Sequence, residues 1–429
     1  MATTSPNLST PPNRISDFSL VLVLFFTSRL MLLLAFPPEN LIFYGDYQHY
    51  FNLASMTERG LYPFVHYWYE FPPIFPYLNI AVYSLAGGQL KNYIVLLAFV
   101  LLLVEAANLY LLYRLALILY GPARAGQTVW IYTALFVPVF FWLGNFDALT
   151  TFFILLGLVA LVKRGGPHPV AGATLLSRFG RGDRREGGEG FSSDVWLALA
   201  LGLGAMVKVL PVLLLATLWR ARGFKAMVAL AGATLLISLL IFGPFFLANP
   251  TMTWASLQAQ ASKSSYETVW ALLDGNLTTG NFGDLADHLD PAKATQPLNN
   301  PARLPTWLTF IPFGLLGLFI FTRSRQLPTM AQDSVIFTTL TFVIFFLWSP
   351  GWSPQWQTFL IPLLLLALPE RRAVMFIIVL GFVNFVEWPV ILSRGMHQLL
   401  LVTILARTLI LILLALELYQ VFSRTNDPI

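Results

Sequence analysis

Asp46 stands in YGDYQHY, flanked by Tyr44, Gly45, Tyr47 and His49, directly after the first apolar run of the chain. A carboxylate held among aromatic rings is desolvated, which raises its pKa and suits it to accept a proton as a general base. The competing reading is a solvated loop carboxylate or a helix N-cap. Glu70, in YWYEFPP, precedes a Pro-Pro pair and is read either as a turn residue or as a second acid of the same surface. Asp147, in GNFDALTT, either caps the helix that starts there, helped by Asn145, or faces the same compartment as Asp46. Two carboxylates from distant parts of a chain can together grip and deprotonate a hydroxyl.

The cations inside apolar stretches form a second set. Lys208 sits in LGLGAMVKVLPVLLL beside Pro211, where a cation at the apex of a broken helix pair would suit a phosphate. Arg29, near the outer end of its helix, is read as a snorkelling residue, and the deeper Arg407 as the partner of a buried acid or as lining a cavity; Glu105 and Glu387, inside apolar helices, are read as acids that need structural partners. Lys263 falls in SKSSYETVW, where aromatics mix with polar side chains; the other such turn is LWSPGWSPQWQ, with Gln355 and Gln357. Interfacial aromatic belts explain many such rings. Amides and carboxylates beside aromatic faces, here Gln258, Lys263, Glu267, Gln355 and Gln357, also suit a sugar ring. The five His show no HExxH or close pairing, so metal ligation has little support.

The elements that must position these residues are membrane helices. The 429 residues are 57% hydrophobic and only 11% charged, which excludes an ordinary soluble domain. The net charge of +5 is explained by basic cytoplasmic loops, with no nucleic-acid partner required. There is no cysteine, so disulfide and thiolate chemistry are excluded. Apolar stretches near 16–36, 92–119, 128–143, 147–162, 226–248, 305–322, 333–348, 356–369, 373–392 and 399–422 are candidate spans, the first retained and not cleaved.

Lys163, Arg164, Arg178, Arg181, Arg184 and Arg185 place segment 163–193 in the cytoplasm as a flexible loop. Both flanks of 194–219 are basic, so this stretch must cross an even number of times, as a hairpin or broken pair. A full span at 72–88 would put Arg114 and Arg124 outside, so it is predicted to lie at the interface. The expected fold is an all-α, polytopic bundle of about twelve crossings in one integral-membrane domain spanning 1–429. External loops are expected at 37–91, with juxtamembrane helices, and at 249–304. No internal repeat is evident, which disfavours inverted-repeat transporters.

In this order, an Arg-containing first span, YGDYQHY, RGLYPFVHYWYEFPPIFPYL, GNFDALTTFFILLGLVAL, LALGLGAMVKVLPVLLL and WSPGWSPQWQTFLIP resemble one family over most of the chain. It is the integral-membrane, polyprenyl-phosphate-dependent glycosyltransferases of the GT-C fold, and within them the mannosyltransferase-like branch. The resemblance implies an inverting transfer of a hexose, mannose by analogy, from a polyprenyl-phosphate sugar to a hydroxyl of a glycan or glycolipid acceptor. The implied site is on the external face of the cell membrane, with membrane lipids as neighbours. Asp46 matches the family's first-loop Asp, its expected base, and Lys208 a position near the lipid phosphate. Arg29 or Lys263 would add a cation, with Glu70, Asp147, Tyr44, His49 and Gln355 as substrate contacts. The first-loop Asp lacks a neighbouring second acid here, so no cofactor is assigned and a divalent metal is disfavoured. The rival class is a transporter or flippase of lipid-linked sugars, which would be expected to carry ionisable residues along a path through the membrane.

Overall fold

The computed structural model describes residues 17–42, 45–135, 144–163, 186–280, 283–296, 298–323 and 327–423. Tyr44, much of the 163–193 loop and the end of the 128–143 stretch lie outside them. The architecture is an all-α, multi-pass membrane bundle. Among the described residues the only extended pairings are isolated bridges, Pro63 with Tyr67 and Tyr266 with Gly351.

Among the described residues, six helical segments are long and apolar enough to cross a bilayer: Phe18–Ala35, Leu90–Tyr120, Phe224–Ala248, Met330–Trp348, Glu370–Leu392 and His397–Ser423. Of the other expected crossings, 147–162, 305–322 and 356–369 fall on the shorter helices Asp147–Lys163, Thr306–Thr322 and Gln357–Ala367, and 128–143 runs beyond the described residues. Leu34, Leu240, Leu247, Phe310 and Val402 are exposed, as expected of helices whose outer faces meet lipid and not water. The centre of the bundle is the helix Gln357–Ala367, in which every residue is buried.

In chain order the helices that matter to the site begin with α1 (Asp17–Ala35), α2 (Pro38–Leu41) and α3 (Tyr47–Ser55). Next come α4 (Ile74–Leu85), α5 (Leu90–Tyr120), α6 (Pro122–Ala134), α7 (Asp147–Lys163) and α8 (Glu186–Ala205). At twelve residues, α4 is about 18 Å long and too short to cross a bilayer, in keeping with the interfacial reading of 72–88.

After α8 the chain breaks at Met206–Val209, passes a 3₁₀ turn at Leu210–Leu213 and returns as α9 (Leu214–Arg222). Arg222 of α9 pairs with Asp194 in the middle of α8 at 2.6 Å, and also donates to Leu161 O at the end of α7. The returning arm therefore ends against the middle of α8, and 194–222 is a hairpin, as charge parity requires. Its apex returns to the start of α7, because Lys208 meets Asp147 there. Since α7 has seventeen residues, apex and base lie about 25 Å apart.

The basic end is tied by Arg220, which forks onto Asp333 at 2.9 Å and donates to Phe321 O, so three helix ends meet on one guanidinium. At the other end the connections are longer and carry the short helices α11 (Pro250–Ala261) and α12 (Val269–Asp274), following α10 (Phe224–Ala248). Asn249 caps α11 by accepting from Met252 N at 3.1 Å and donates its amide to Val65 O, tying that connection to the 56–73 loop. Polar and charged groups therefore gather at one end of the bundle, over the hairpin apex.

Candidate active site

Asp46 and Asp147 are brought together by two glycines. The backbone of Gly45 lies so close to that of Gly144 that a Cβ on Gly45 would fall 2.7 Å from Gly144 O. Asp46 N donates to that same oxygen at 3.3 Å. Gly144 takes a φ of 68°, the left-handed region where a side chain is strained, and packs under the Tyr47 ring. The first loop is thus stitched to the turn before α7 by backbone, and the aspartate that follows Gly45 arrives beside the one that opens α7.

Asp46 precedes α3 but makes no capping bond; instead Tyr50 donates its hydroxyl to Oδ2 at 3.1 Å. This removes the N-cap reading of Asp46. Burial lifts its carboxyl above the usual aspartate value, against the opposing pull of the Tyr50 hydrogen bond and Lys263. Asp147 is buried and accepts from Lys208 Nζ at 2.6 Å. The Lys208 ammonium is ringed by Phe71, Phe146, Trp356 and Phe359, with centroids 5.3 to 5.9 Å away. A lysine held by one carboxylate and four aromatic faces is fixed in place yet keeps charge to offer an anion.

Asp46, Tyr50, Asp147 and Lys208, with Phe71, Phe146 and Trp356, line a cavity of about 200 Å³, closed further by Lys263, Gln260, Glu267, Gln355 and Trp388. An apolar groove of about 370 Å³ joins it, running between Val209, Leu210 and Leu213 of the hairpin apex and Phe345, Trp348 and Pro350. Phe71, Lys208, Lys263 and Trp356 belong to both spaces. The groove therefore ends on the two cations.

The loop that supplies Gln355 and Trp356 is held by a buried amide relay. Trp352 Nε1 donates to Asn384 Oδ1, Asn384 Nδ2 to Gln357 Oε1, and Gln357 Nε2 to Ile377 O. Tyr266 fixes it from the other side, with its N–H on Pro350 O and its ring against Gly351. Glu267 has a φ of 52°, a strained value for a non-glycine residue, and its carbonyl accepts from Arg407, which also pairs with Glu387. Arg407 is therefore the partner of a buried acid, one of the two roles read from the sequence.

Several candidates are placed differently from expectation. Glu70 pairs with Lys263 through Oε2 at 3.3 Å but opens onto a neighbouring polar space, not onto Asp46. Burial raises its pKa to about 7 against the pull of Lys263. Lys263 is itself held above the usual lysine value; burial opposes this, but Glu70 and Tyr266 outweigh it.

Arg29 is neither snorkelling nor part of the cavity. It is fully buried, with its guanidinium 3.7 Å from the Phe25 ring and directed into the α1, α5 and α6 contact where Glu105 accepts from Tyr132 and Asn108. His49 does not line the cavity either. Its ring lies 5.8 Å from that of His288, and burial lowers its pKa to about 3, so it is neutral at pH 7. Gln258 gives way to Gln260 as the cavity amide, and Gln357 belongs to the relay. Tyr44 lies outside the described residues. Among those described, no three His, Asp or Glu side chains are grouped to hold a metal ion.

No protein-family model matches the chain, and no curated protein matches it. Among solved structures, the apo oligosaccharyltransferase of Archaeoglobus fulgidus is similar over 97% of this chain and 57% of its own, at 15% identity and a TM-score of 0.46. The chain thus spans little more than half the length of that protein. With likeness at this level, activity has to be argued from the site.

Proposed function

We propose that the protein is a membrane glycosyltransferase that moves a hexose, mannose in the first instance, from a polyprenyl-phosphate sugar to a glycan hydroxyl with inversion at the anomeric carbon. The observation that carries this reading is the meeting of the apolar groove with Lys208 and Lys263 at the rim of a cavity containing Asp46. A long hydrocarbon chain fits the groove, a phosphate suits the cations, and a sugar suits the amide- and indole-lined cavity beyond them.

The chemistry follows. Asp46, whose proton affinity is raised by burial, takes the proton of the acceptor hydroxyl as its oxygen attacks the anomeric carbon. The bond from that carbon to the phosphate oxygen breaks, and the electron pair leaves on the polyprenyl phosphate. Lys208 and Lys263 balance the charge that grows there, so the leaving group needs no proton of its own. Asp147 holds Lys208 in place, and Tyr50 orients Asp46.

The charged end of the bundle is assigned to the external face of the cell membrane. The arginine-tied end then faces the cytoplasm, as the distribution of basic residues requires. The test is a transfer assay in proteoliposomes with a panel of labelled polyprenyl-phosphate hexoses. Turnover of one of them is expected, with Lys208→Ala raising the donor KM roughly tenfold or more. Translocation of intact donor without cleavage would replace the enzyme by a flippase.

A further inference from the structure

A second polar space of about 130 Å³ adjoins the Asp46 cavity, and Lys263 and Gly280 line both. Glu70 points into it: this side chain is 5% exposed, and its Oε1 has no hydrogen-bond partner among the described residues. Around it stand Ser262, Ser264, Asp287, Lys293 and Asn299, a mixture of hydroxyls, an amide and one charge of each sign. This lining differs sharply from the apolar groove on the far side of Lys263. A greasy chain has no reason to enter it, and a phosphate would meet Glu70 and Asp287.

The segment that forms the outer wall is firmly docked. Trp68 donates its indole N–H to Asp287 O at 2.9 Å and to Asp290 O at 3.1 Å, and it stacks on His288 with centroids 4.1 Å apart. His288 O in turn accepts from Trp68 N. The space is therefore a built feature, held by a wall that a loosely draped loop would not provide.

We propose that this space is the acceptor subsite, and that it takes the sugar residue preceding the one that is glycosylated. The acceptor is then a hydrophilic glycan of at least two residues, its reducing or non-reducing neighbour lodged by Glu70 and Lys293 while the reacting hydroxyl passes Gly280 to reach Asp46. Glu70 accepts from sugar hydroxyls through the oxygen that the protein leaves unpaired, and Lys263 keeps its other oxygen in place. Donor and acceptor thus approach Lys263 from opposite sides, one from lipid and one from water. This inference rests on the glycosyltransferase reading.

The test uses full-length protein in nanodiscs with the panel of labelled polyprenyl-phosphate hexose donors, the acceptor comparison being made with the hexose that is turned over. The acceptors are methyl mannoside, its α-linked disaccharide and tetrasaccharide, and an alkyl-chain lipid alcohol without sugar. The disaccharide is expected to have a KM at least about tenfold below that of the monosaccharide. Ser262→Trp, which fills the space, and Lys293→Ala should erase that advantage by raising the disaccharide KM, with the donor KM within about twofold of wild type. Wild-type turnover in which monosaccharide and disaccharide are equivalent, in which the lipid alcohol is preferred, or in which both variants keep the disaccharide advantage would overturn the subsite alone. Absence of donor cleavage across the whole donor panel would overturn the glycosyltransferase reading and this inference with it.

Discussion

Glu70 shows how much one carboxylate's surroundings decide. Its pKa of about 7 means that its charge changes across the physiological range while it touches Lys263. Below that value the acid is neutral and Lys263 offers its full charge to a phosphate; above it, the carboxylate cancels part of that charge. The donor KM should therefore rise roughly three- to tenfold as pH is raised through about 7, and Glu70→Gln should flatten that dependence. Donor titrations at three or four pH values, at constant ionic strength, check this. The sequence showed Glu70 as a polar residue at a Pro-Pro turn, but not its pairing, because Lys263 is remote in the chain. For the same reason the sequence leaves Arg29 open: snorkelling, catalysis and burial against an aromatic ring all look alike in a one-dimensional apolar run. Asp46, Asp147 and Lys208 were legible because each is a charge in a setting that charges avoid.

At the scale of elements, the site depends on a contact that no local pattern announces. Gly45 and Gly144 touch through their backbones, and that contact sets the separation of Asp46 from Asp147. Gly45→Ala would place a methyl group against Gly144 O and push the first loop away, at a cost of about 1–3 kcal/mol. A displacement of about 1 Å at the base is enough to lower kcat roughly a hundredfold. The expected outcome is a protein that inserts and elutes normally but has lost most of its turnover, whereas wild-type kcat would show that the glycine contact does not position the base. Glycines in a membrane helix protein are common, so nothing in YGDY or GNFD marked this pair. The hairpin of α8 and α9 was legible, by contrast, since charge parity acts over whole segments and does not depend on which side chains meet. The shortness of α4, which the interfacial reading of 72–88 requires, fits the same argument.

For the whole molecule, the same parity argument assigns a side to each end of the bundle. The chain has no cysteine, so single introduced cysteines report sidedness without background. Gln89→Cys and Ser393→Cys, both at exposed positions on the site end, should react with a membrane-impermeant maleimide added outside intact cells. Thr322→Cys and Arg371→Cys, exposed at the arginine-tied end, should react only after the membrane is opened. The reverse pattern would put the cavity in the cytoplasm and remove the external acceptor from the account. An all-α multi-pass bundle was legible from composition and apolar run length alone. The division of its polar end into an apolar groove, a reaction cavity and a second polar space was not, since it arises where the hairpin apex, the 56–73 loop, the residues around Lys263 and the 349–356 turn converge.

The central claim is that Asp46 is the base of a transfer from a polyprenyl-phosphate sugar. The most direct measurement is the turnover of Asp46→Asn beside wild type in proteoliposomes, with the donor identified by the panel and a saturating disaccharide acceptor. The carboxamide keeps the shape and can still accept from Tyr50, but it cannot take a proton. The account predicts a fall in kcat of roughly 10²–10⁴-fold with the donor KM nearly unchanged. A variant that transfers sugar at the wild-type rate would contradict it.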